Sequence, residues 1–335
     1  MTADEVRTGA EIMNAEYGDV DPELFRIKHC ENPDGRPDGL RIQYEDGQPA
    51  GVLAFMGMRL HADGKNYTAS QACDAAVNPE FRGRSVLSKL FRSLEETDER
   101  ASLFIGFPNE KSYPRCLHLG YRTVSRMYHY IYAIKPGRFL LGQNPLTGLI
   151  DGVWQLFLRH KRFHALPDET VLEQEVCPLD EADLKRINAA TAVGFDRSNA
   201  FYRWKTAYNG NLTFRYLTMR TDGELKAFVL YHIRRMYRGC SLVIDDWYCE
   251  GEMAQQERRL WALLHAATQS YDLVHVPFVN VQCADETLLR RMRFMNACKK
   301  PFGRRVCPLI VSDHGVDASF MAGASIKNVD SDVLS

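Results

Sequence analysis

Several things that commonly announce a function are missing from this chain of 335 residues. No Cys-x-x-Cys pair occurs, and the nine cysteines (30, 73, 116, 177, 240, 249, 283, 298 and 307) are odd in number and scattered. That pattern excludes a zinc ribbon and a disulfide framework and fits reduced thiols. Histidines 29, 118, 129, 232, 265 and 275 have no metal-ligand spacing, so no metal is expected. No apolar run approaches the roughly 20 residues that span a bilayer, so no stable membrane insertion is expected. The start, Met1-Thr2-Ala3-Asp4-Glu5, is polar and acidic and lacks a signal-peptide pattern, which leads us to expect a cytoplasmic location. Charge of one sign is lacking as well. Forty-two basic residues face 43 acidic ones, a net charge of -1, so there is no global attraction for nucleic acid.

What is present includes a repeat. Leu24-Phe25-Arg26-Ile27-Lys28, with Asn32 after it, matches Phe201-Tyr202-Arg203-Trp204-Lys205, with Asn209 after it, at an offset of 177 residues. Downstream of each, Asp-Gly (Asp46-Gly47; Asp222-Gly223) opens an apolar strand pattern. Each copy then has acidic residues in a strand-like run (Asp74; Asp245 and Asp246) and an aromatic and proline run ending in Asn (Phe104 to Asn109; Val274 to Asn280). A period near 175 residues predicts two similar domains and not a solenoid.

In the first copy, periodicity predicts helices over 2–16 and 21–29, strands over 40–45, 50–60 and 67–77, and a helix over 83–99. A strand over 101–107, a helix over 110–119 and strands within 121–134 follow. Asp46-Gly47 and Asp63-Gly64 are hairpin turns. Hairpins followed by a strand–helix–strand crossover imply an α/β fold with a mixed, mostly antiparallel sheet flanked by helices. The expected division is a first domain over 1–135, a connector over 136–170, a second domain over 171–312 and a loosely attached polar tail over 313–335. Within the connector, apolar residues at 146, 149, 150, 153, 154, 157 and 158 precede Arg159-His160-Lys161-Arg162. This amphipathic helix either packs on a sheet between the domains or lies on a membrane surface.

Two segments carry chemistry. In Cys73-Asp74-Ala75-Ala76-Val77-Asn78-Pro79-Glu80-Phe81-Arg82-Gly83-Arg84-Ser85-Val86, a strand meets a tight basic turn and a helix start, where unpaired amides and the helix dipole favour an anion. In Leu103-Phe104-Ile105-Gly106-Phe107-Pro108-Asn109-Glu110-Lys111-Ser112, a strand ends at Pro-Asn before a helix that stops at Gly120-Tyr121. Together, in this order, they resemble the GCN5-related N-acetyltransferase (GNAT) superfamily, in a tandem two-domain arrangement. The second copy resembles that fold through its repeat of the first.

The resemblance implies that Arg82, Gly83, Arg84, Ser85 and Val86 bind the pyrophosphate end of acetyl-CoA or another acyl-CoA, with Asn109 and Ser112 along its pantetheine arm and the Val77 amide or a neighbour as donor to the acyl carbonyl oxygen. It implies an N-acyltransferase acting on a small-molecule amine by direct transfer. Asp74 is the candidate base. Cys116 stands where many members carry a tyrosine general acid. The family's turn glycines are replaced by Ser85 and Leu87, and the matching turn of the second copy, Glu250-Gly251-Glu252, is acidic and would repel a diphosphate. Only the first domain is therefore expected to bind CoA. Asp245 and Asp246 are candidates for holding the acceptor. Two other readings stay open: a non-catalytic acyl-CoA-binding or regulatory protein of this fold, and an aminoacyl-tRNA-dependent transferase. Balanced charge and absent heptads count against the latter. Basic and aromatic residues 231–238 read as a solvated strand face. The acceptor and the oligomeric state are not legible.

Overall fold

The computed structural model describes all residues except 19, 36–38, 98–100, 138–143, 160–163, 237–238, 271–277, 286, 300–304, 314–315 and 332–335. The chain forms two compact units whose sequence segments interleave. Unit 1 comprises Met1–Arg126, Thr191–Gly210 and Cys307–Ser325; unit 2 comprises Met127–Ala190, Asn211–Val306 and Ile326–Ser335. Part of the second half of the chain thus completes the first unit, because a mixed sheet must find a partner for its last strand wherever the chain offers one.

Unit 1 begins with helices α1 (Ala3–Tyr17) and α2 (Pro22–Cys30). Local chemistry starts both. Thr2 and Glu5 form a capping box on α1, and Asp21 accepts the Glu23 and Leu24 amides of α2 with Pro22 at its first position. Strands β1 (Leu40–Glu45), β2 (Gln48–Ala62) and β3 (Lys65–Val77) follow as an antiparallel meander. The turns are those expected: Asp46-Gly47 and Asp63-Gly64 have positive φ at both residues, as the hairpin twist requires. Helix α3 (Val86–Thr97), strand β4 (Leu103–Gly106), helix α4 (Tyr113–His118) and strand β5 (Arg122–Ala133) come next. The helix expected from residue 83 begins at Val86, because Gly83 (φ 86°) and Ser85 (φ 60°) are left-handed and belong to the turn.

The α3 face packs on β2 through Val86, Leu90 and Phe91, joined by Phe55, Phe104 and Tyr121 in one apolar cluster. Phe55 lies 5.3 Å from Phe104 and 6.1 Å from Phe91 between ring centroids, distances that suit edge and tilted aromatic pairs.

In unit 2, helix α5 (Pro145–Arg159) precedes strand β6 (Glu169–Gln174) and helix α6 (Glu181–Ala189). Strand β7 (Val193–Phe195) and helix α7 (Asn199–Ala207) return to unit 1, where β7 pairs with the far end of β2. Strands β8 (Phe214–Thr221), β9 (Glu224–Met236) and β10 (Gly239–Cys249) repeat the antiparallel meander. Helix α8 (Met253–Ser270), strand β11 (Phe278–Cys283), helix α9 (Thr287–Arg291) and strand β12 (Met295–Asn296) complete the second copy. The β5 residues Tyr128–Ala133 pair with β11, and the last strand, β13 (Cys307–Asp313), pairs with β4 of unit 1. The unit 2 core gathers Leu260, Leu263 and Leu264 of α8 against β8 to β11.

Two expectations are corrected. The units are not consecutive stretches of sequence, since the final strand and residues 191–210 of the second half fold into unit 1. The expected loose tail is packed: Met321, Ile326, Asn328, Val329 and Asp330 are all buried. Their apolar atoms leave water, which the polar look of the segment concealed. The repeated motif is helical in both copies, and within unit 1 α2 meets α7. There the Trp204 indole donates to the carbonyl of its repeat equivalent, Ile27, at 3.2 Å.

Gly51 of β2 lets α3 approach, since a Cβ there would stand 2.7 Å from Val86 Cγ1 and 3.0 Å from the Ala76 carbonyl. Gly51→Ala should therefore lower the unfolding free energy by about 1–3 kcal/mol, measured by urea titration. An unchanged midpoint and slope would show that α3 shifts without cost.

Candidate functional site

The site is built where β3 and β4 part. The two strands pair in parallel from Ala69↔Leu103 to Ala72↔Gly106, and β3 then runs on through Cys73–Val77 while β4 ends. On its other edge β3 carries a bulge. Ala54 faces Cys73 and Val52 faces Ala76, so Asp74 and Ala75 together oppose one residue of β2. Asp74 has φ 43°, which costs a residue with a Cβ about 1–2 kcal/mol unless its surroundings hold it. An extra residue of this kind bends the strand and raises its twist, which turns Cys73–Val77 away from β4.

The surroundings do hold it. Lys28 Nζ lies 2.9 Å and 2.8 Å from the two Asp74 carboxylate oxygens, and His29 Nε2 lies 2.7 Å from Oδ2. Tyr17 Oη donates to the Ala75 carbonyl at 3.2 Å. Burial by itself would raise the Asp74 carboxyl, but the Lys28 ammonium and the His29 ring outweigh it and hold the group well below the usual carboxylate range. Lys28 and the fully buried Lys205 both stand over the Tyr208 ring, at 5.6 Å and 5.3 Å. Asp74, named as a base, is therefore engaged by two partners. His29, Cys73 and Asp74 offer ligand atoms within 4.8 Å of one another, and the ammonium of Lys28 already supplies positive charge to that cluster.

Past Val77 the turn is exposed, from Arg82 through Ser85. Asn78 anchors it through its amide to Ala50 O (2.9 Å) and its side chain to Pro49 O (2.6 Å). Arg82 pairs with Glu16 and donates to Val77 O at 3.4 Å; Arg84 pairs with Asp46 at 3.1 Å and lies over Phe81. The α3 ladder opens with Lys89 N–H to Ser85 O, and among the described residues no side chain caps the amides of Val86, Leu87 and Ser88. Uncapped amides and a helix dipole thus open onto one exposed turn that also carries Arg82 and Arg84, each held by a carboxylate that a phosphate group could displace.

On the opposite side of the gap, Asn109 Oδ1 accepts the amides of Lys111 and Ser112, each at 3.0 Å, and Ser112 Oγ lies 3.2 Å from the same atom. The two residues named from the sequence meet at the start of α4. Cys116 lies in the apolar cluster, where burial pushes its thiol up to about 11. It therefore holds its proton at neutral pH, inside the core.

Unit 2 carries the same framework with a different outcome. Strand β10 has its bulge at Asp245, since Ile244 faces Tyr231 and Asp246 faces Leu230, and it pairs in parallel with β11 only as far as Ile244↔Val281. Asp245 is thus the structural equivalent of Asp74. Here the chain's own end fills the gap. Lys327 bridges Cys283, and the Ala284 amide donates to Ile326 O at 3.0 Å. Asn328 Nδ2 lies 2.6 Å from Asp245 Oδ1, and Lys327 Nζ lies 3.0 Å from Asp246. His232 Nδ1 lies 2.7 Å from the second Asp245 oxygen. Asp245 and Asp246, expected at the acceptor, are instead fully buried and engaged within unit 2. The acidic turn is closed as well, for the Glu252 amide donates to Gln255 Oε1 and Arg259 takes Glu250 O. Of the strand face 231–238, Tyr231 and His232 are fully buried, while Tyr237 and Arg238 lie outside the described residues, as do 160–163 and 274–277.

Sequence reasoning missed Lys28 and His29 as partners of Asp74. Their signal was the repeat itself, which marks Arg-x-Lys on both α2 and α7 without saying what the lysine meets.

Comparison with known proteins bears on the fold. Residues 1–124 fit the family model of an acetyltransferase (GNAT) domain. A GCN5-related N-acetyltransferase from Anabaena variabilis ATCC 29413 superposes with a TM-score of 0.66 at 11% identity, covering 92% of this chain and 70% of its own. One from Kribbella flavida gives 0.61 at 14%, covering 94% and 70%, and a conserved protein from Enterococcus faecalis V583 gives 0.62 at 14%, covering 93% and 71%. No curated protein matches the sequence. Identities this low show the fold alone. The chain has the GNAT fold, and its first 124 residues match the model of an acetyltransferase (GNAT) domain.

Because Asp74 is more acidic in the folded chain than in the unfolded one, the native state binds fewer protons there. Its stabilisation is complete above about pH 4 and is lost as pH falls further. Lys28→Met, which leaves only His29 on the carboxylate, should weaken this acid dependence and cost about 3–5 kcal/mol at neutral pH, read by denaturation across a pH series. Asn328→Ala, which strips the buried Asp245 of one donor, should cost about 1–3 kcal/mol in the same assay. Stability indifferent to either change would remove the ion cluster or the terminal segment from the account.

Proposed function

We propose that the chain is an acyl-CoA-dependent N-acyltransferase, with acetyl-CoA the simplest donor and a small-molecule amine the acceptor. One observation carries this: β3 and β4 part beside an exposed turn that carries Arg82 and Arg84 and leads into the uncapped start of α3. A pantetheine arm carries amides that can pair, strand-like, with the β3 edge over Cys73–Val77, and its diphosphate suits the Arg82–Val86 amides. The unit 2 gap is filled by residues 326–331, so we assign the donor to unit 1 alone.

The reaction joins the acceptor nitrogen to the thioester carbonyl, expels CoA as its thiol and moves one proton from nitrogen to sulfur overall. A backbone amide near Val77 would hold the carbonyl oxygen as it gains charge. We give Asp74 a positioning role. A carboxylate shared by Lys28 and His29 is a weak proton acceptor, but it fixes the bulge that opens the gap. None of the nine cysteines forms a disulfide, which fits a reducing compartment such as the cytoplasm.

A second reading, a protein that binds acyl-CoA without turnover, is favoured by Cys116 alone, since a buried thiol stands where an acid is expected. Acetyl-CoA should raise the melting temperature, by the equivalent of about 2.7 kcal/mol at one hundred times Kd. Arg82→Glu should abolish that rise and leave the free protein's melting temperature nearly unchanged; full affinity in this variant would sink the phosphate site. Ser85→Gly relieves a left-handed residue and should stabilise by about 1 kcal/mol while keeping donor affinity. Thiol release with an amine panel separates the two readings, since the binding protein gives none.

A further inference from the structure

Helix α5 is inside out. The expectation of a helix packed through its apolar face fails, because its polar side chains are the ones turned to the protein. Asp151 and Thr147 are buried, with Asp151 Oδ1 accepting the Gly137 amide, and the Trp154 indole donates to Ala133 O at 2.9 Å. Leu146, Leu149, Ile150, Val153 and Leu156 are between 40% and 69% exposed. At 100° per residue these five fall within one arc of about 120°, a continuous apolar stripe along a helix of 15 residues. Isolated exposed leucines need no explanation, but a contiguous stripe of this size marks an interaction surface.

Charge identifies the partner. Residues 135–162 contain Lys135, Arg138, Arg159, Lys161 and Arg162 against a single acid, Asp151, which is buried and already bonded. This segment is strongly basic in a chain of net charge -1. No helix among the described residues is long and apolar enough to cross a membrane, so the stripe can lie on one but not span it. We infer that the exposed face of α5, in a segment this rich in lysine and arginine, docks the protein on an anionic lipid surface.

The leucine and valine side chains enter the headgroup–acyl boundary, to a depth of about 5–10 Å, and the basic charge of the segment favours an anionic leaflet. A hydrophobic protein partner would use the stripe but has no need of the cations.

Flotation of the full chain with phosphatidylcholine vesicles, and with vesicles of phosphatidylcholine mixed with phosphatidylglycerol, tests this directly. The protein should float with the mixed vesicles, bind pure phosphatidylcholine at least tenfold more weakly, and come off as salt rises. Leu149→Glu with Val153→Glu should reduce binding at least tenfold without changing the melting temperature, because both side chains are exposed. Arg159→Gln with Lys161→Gln and Arg162→Gln should do the same, in case the first pair perturbs the helix. Failure to float with either vesicle, or flotation unaffected by both sets of changes, overturns the proposal. Self-association in sedimentation velocity that Leu149→Glu abolishes, without vesicle binding, would assign the face to a second copy and likewise overturn it.

Discussion

The bulge at Asp74 is the constraint on which the site in unit 1 depends. A parallel pair left undisturbed would continue its ladder past Ala72 and Gly106, and there would be no edge to offer a ligand. An extra residue in left-handed geometry is unfavourable on its own terms, and it persists because Lys28 and His29, both on α2, grip the carboxylate from one side. The ion cluster thereby converts packing of α2 into a gap between two strands some distance along β3. A buried ion pair contributes little net stability, but it specifies one geometry, and a geometry is what this place needs.

The two units apply one plan to different ends. Both have a bulged strand with an aspartate at the extra position, Asp74 and Asp245, and both have a parallel neighbour that stops early. In unit 1 the partners of the aspartate come from a helix and leave the strand edge clear. In unit 2 one partner comes from Asn328, and the segment that carries it lies along the same gap. Repulsion by an acidic turn was one reason to doubt a donor site there; occupation by the chain itself is a stronger one, because it removes the volume as well as the charge.

The helix between the copies shows how a correct periodicity can point to the wrong side. The spacing at 146, 149, 150 and 153 marks an apolar face, and the face exists, but it is turned outward and the buried contacts are made by Asp151, Thr147 and Trp154. Periodicity says that a face is apolar; it cannot say what is on the other side of it.

The sequence by itself determined the elements of the first copy, the Asp-Gly hairpins, the repeat, and the neighbourhood of Val77, Arg82 to Val86, Asn109 and Ser112. These depend on local rules: turn residues with positive φ, alternation in strands, and apolar spacing in helices. Tertiary structure decided the rest. That Lys28 and His29 reach Asp74, that β13 joins β4, and that residues 326–331 enter the second gap are contacts between positions 45 to more than 200 residues apart. Local propensity contains no term for such distant pairings. They are chosen only when sheets seek partners for open edges and buried charges seek their counterions.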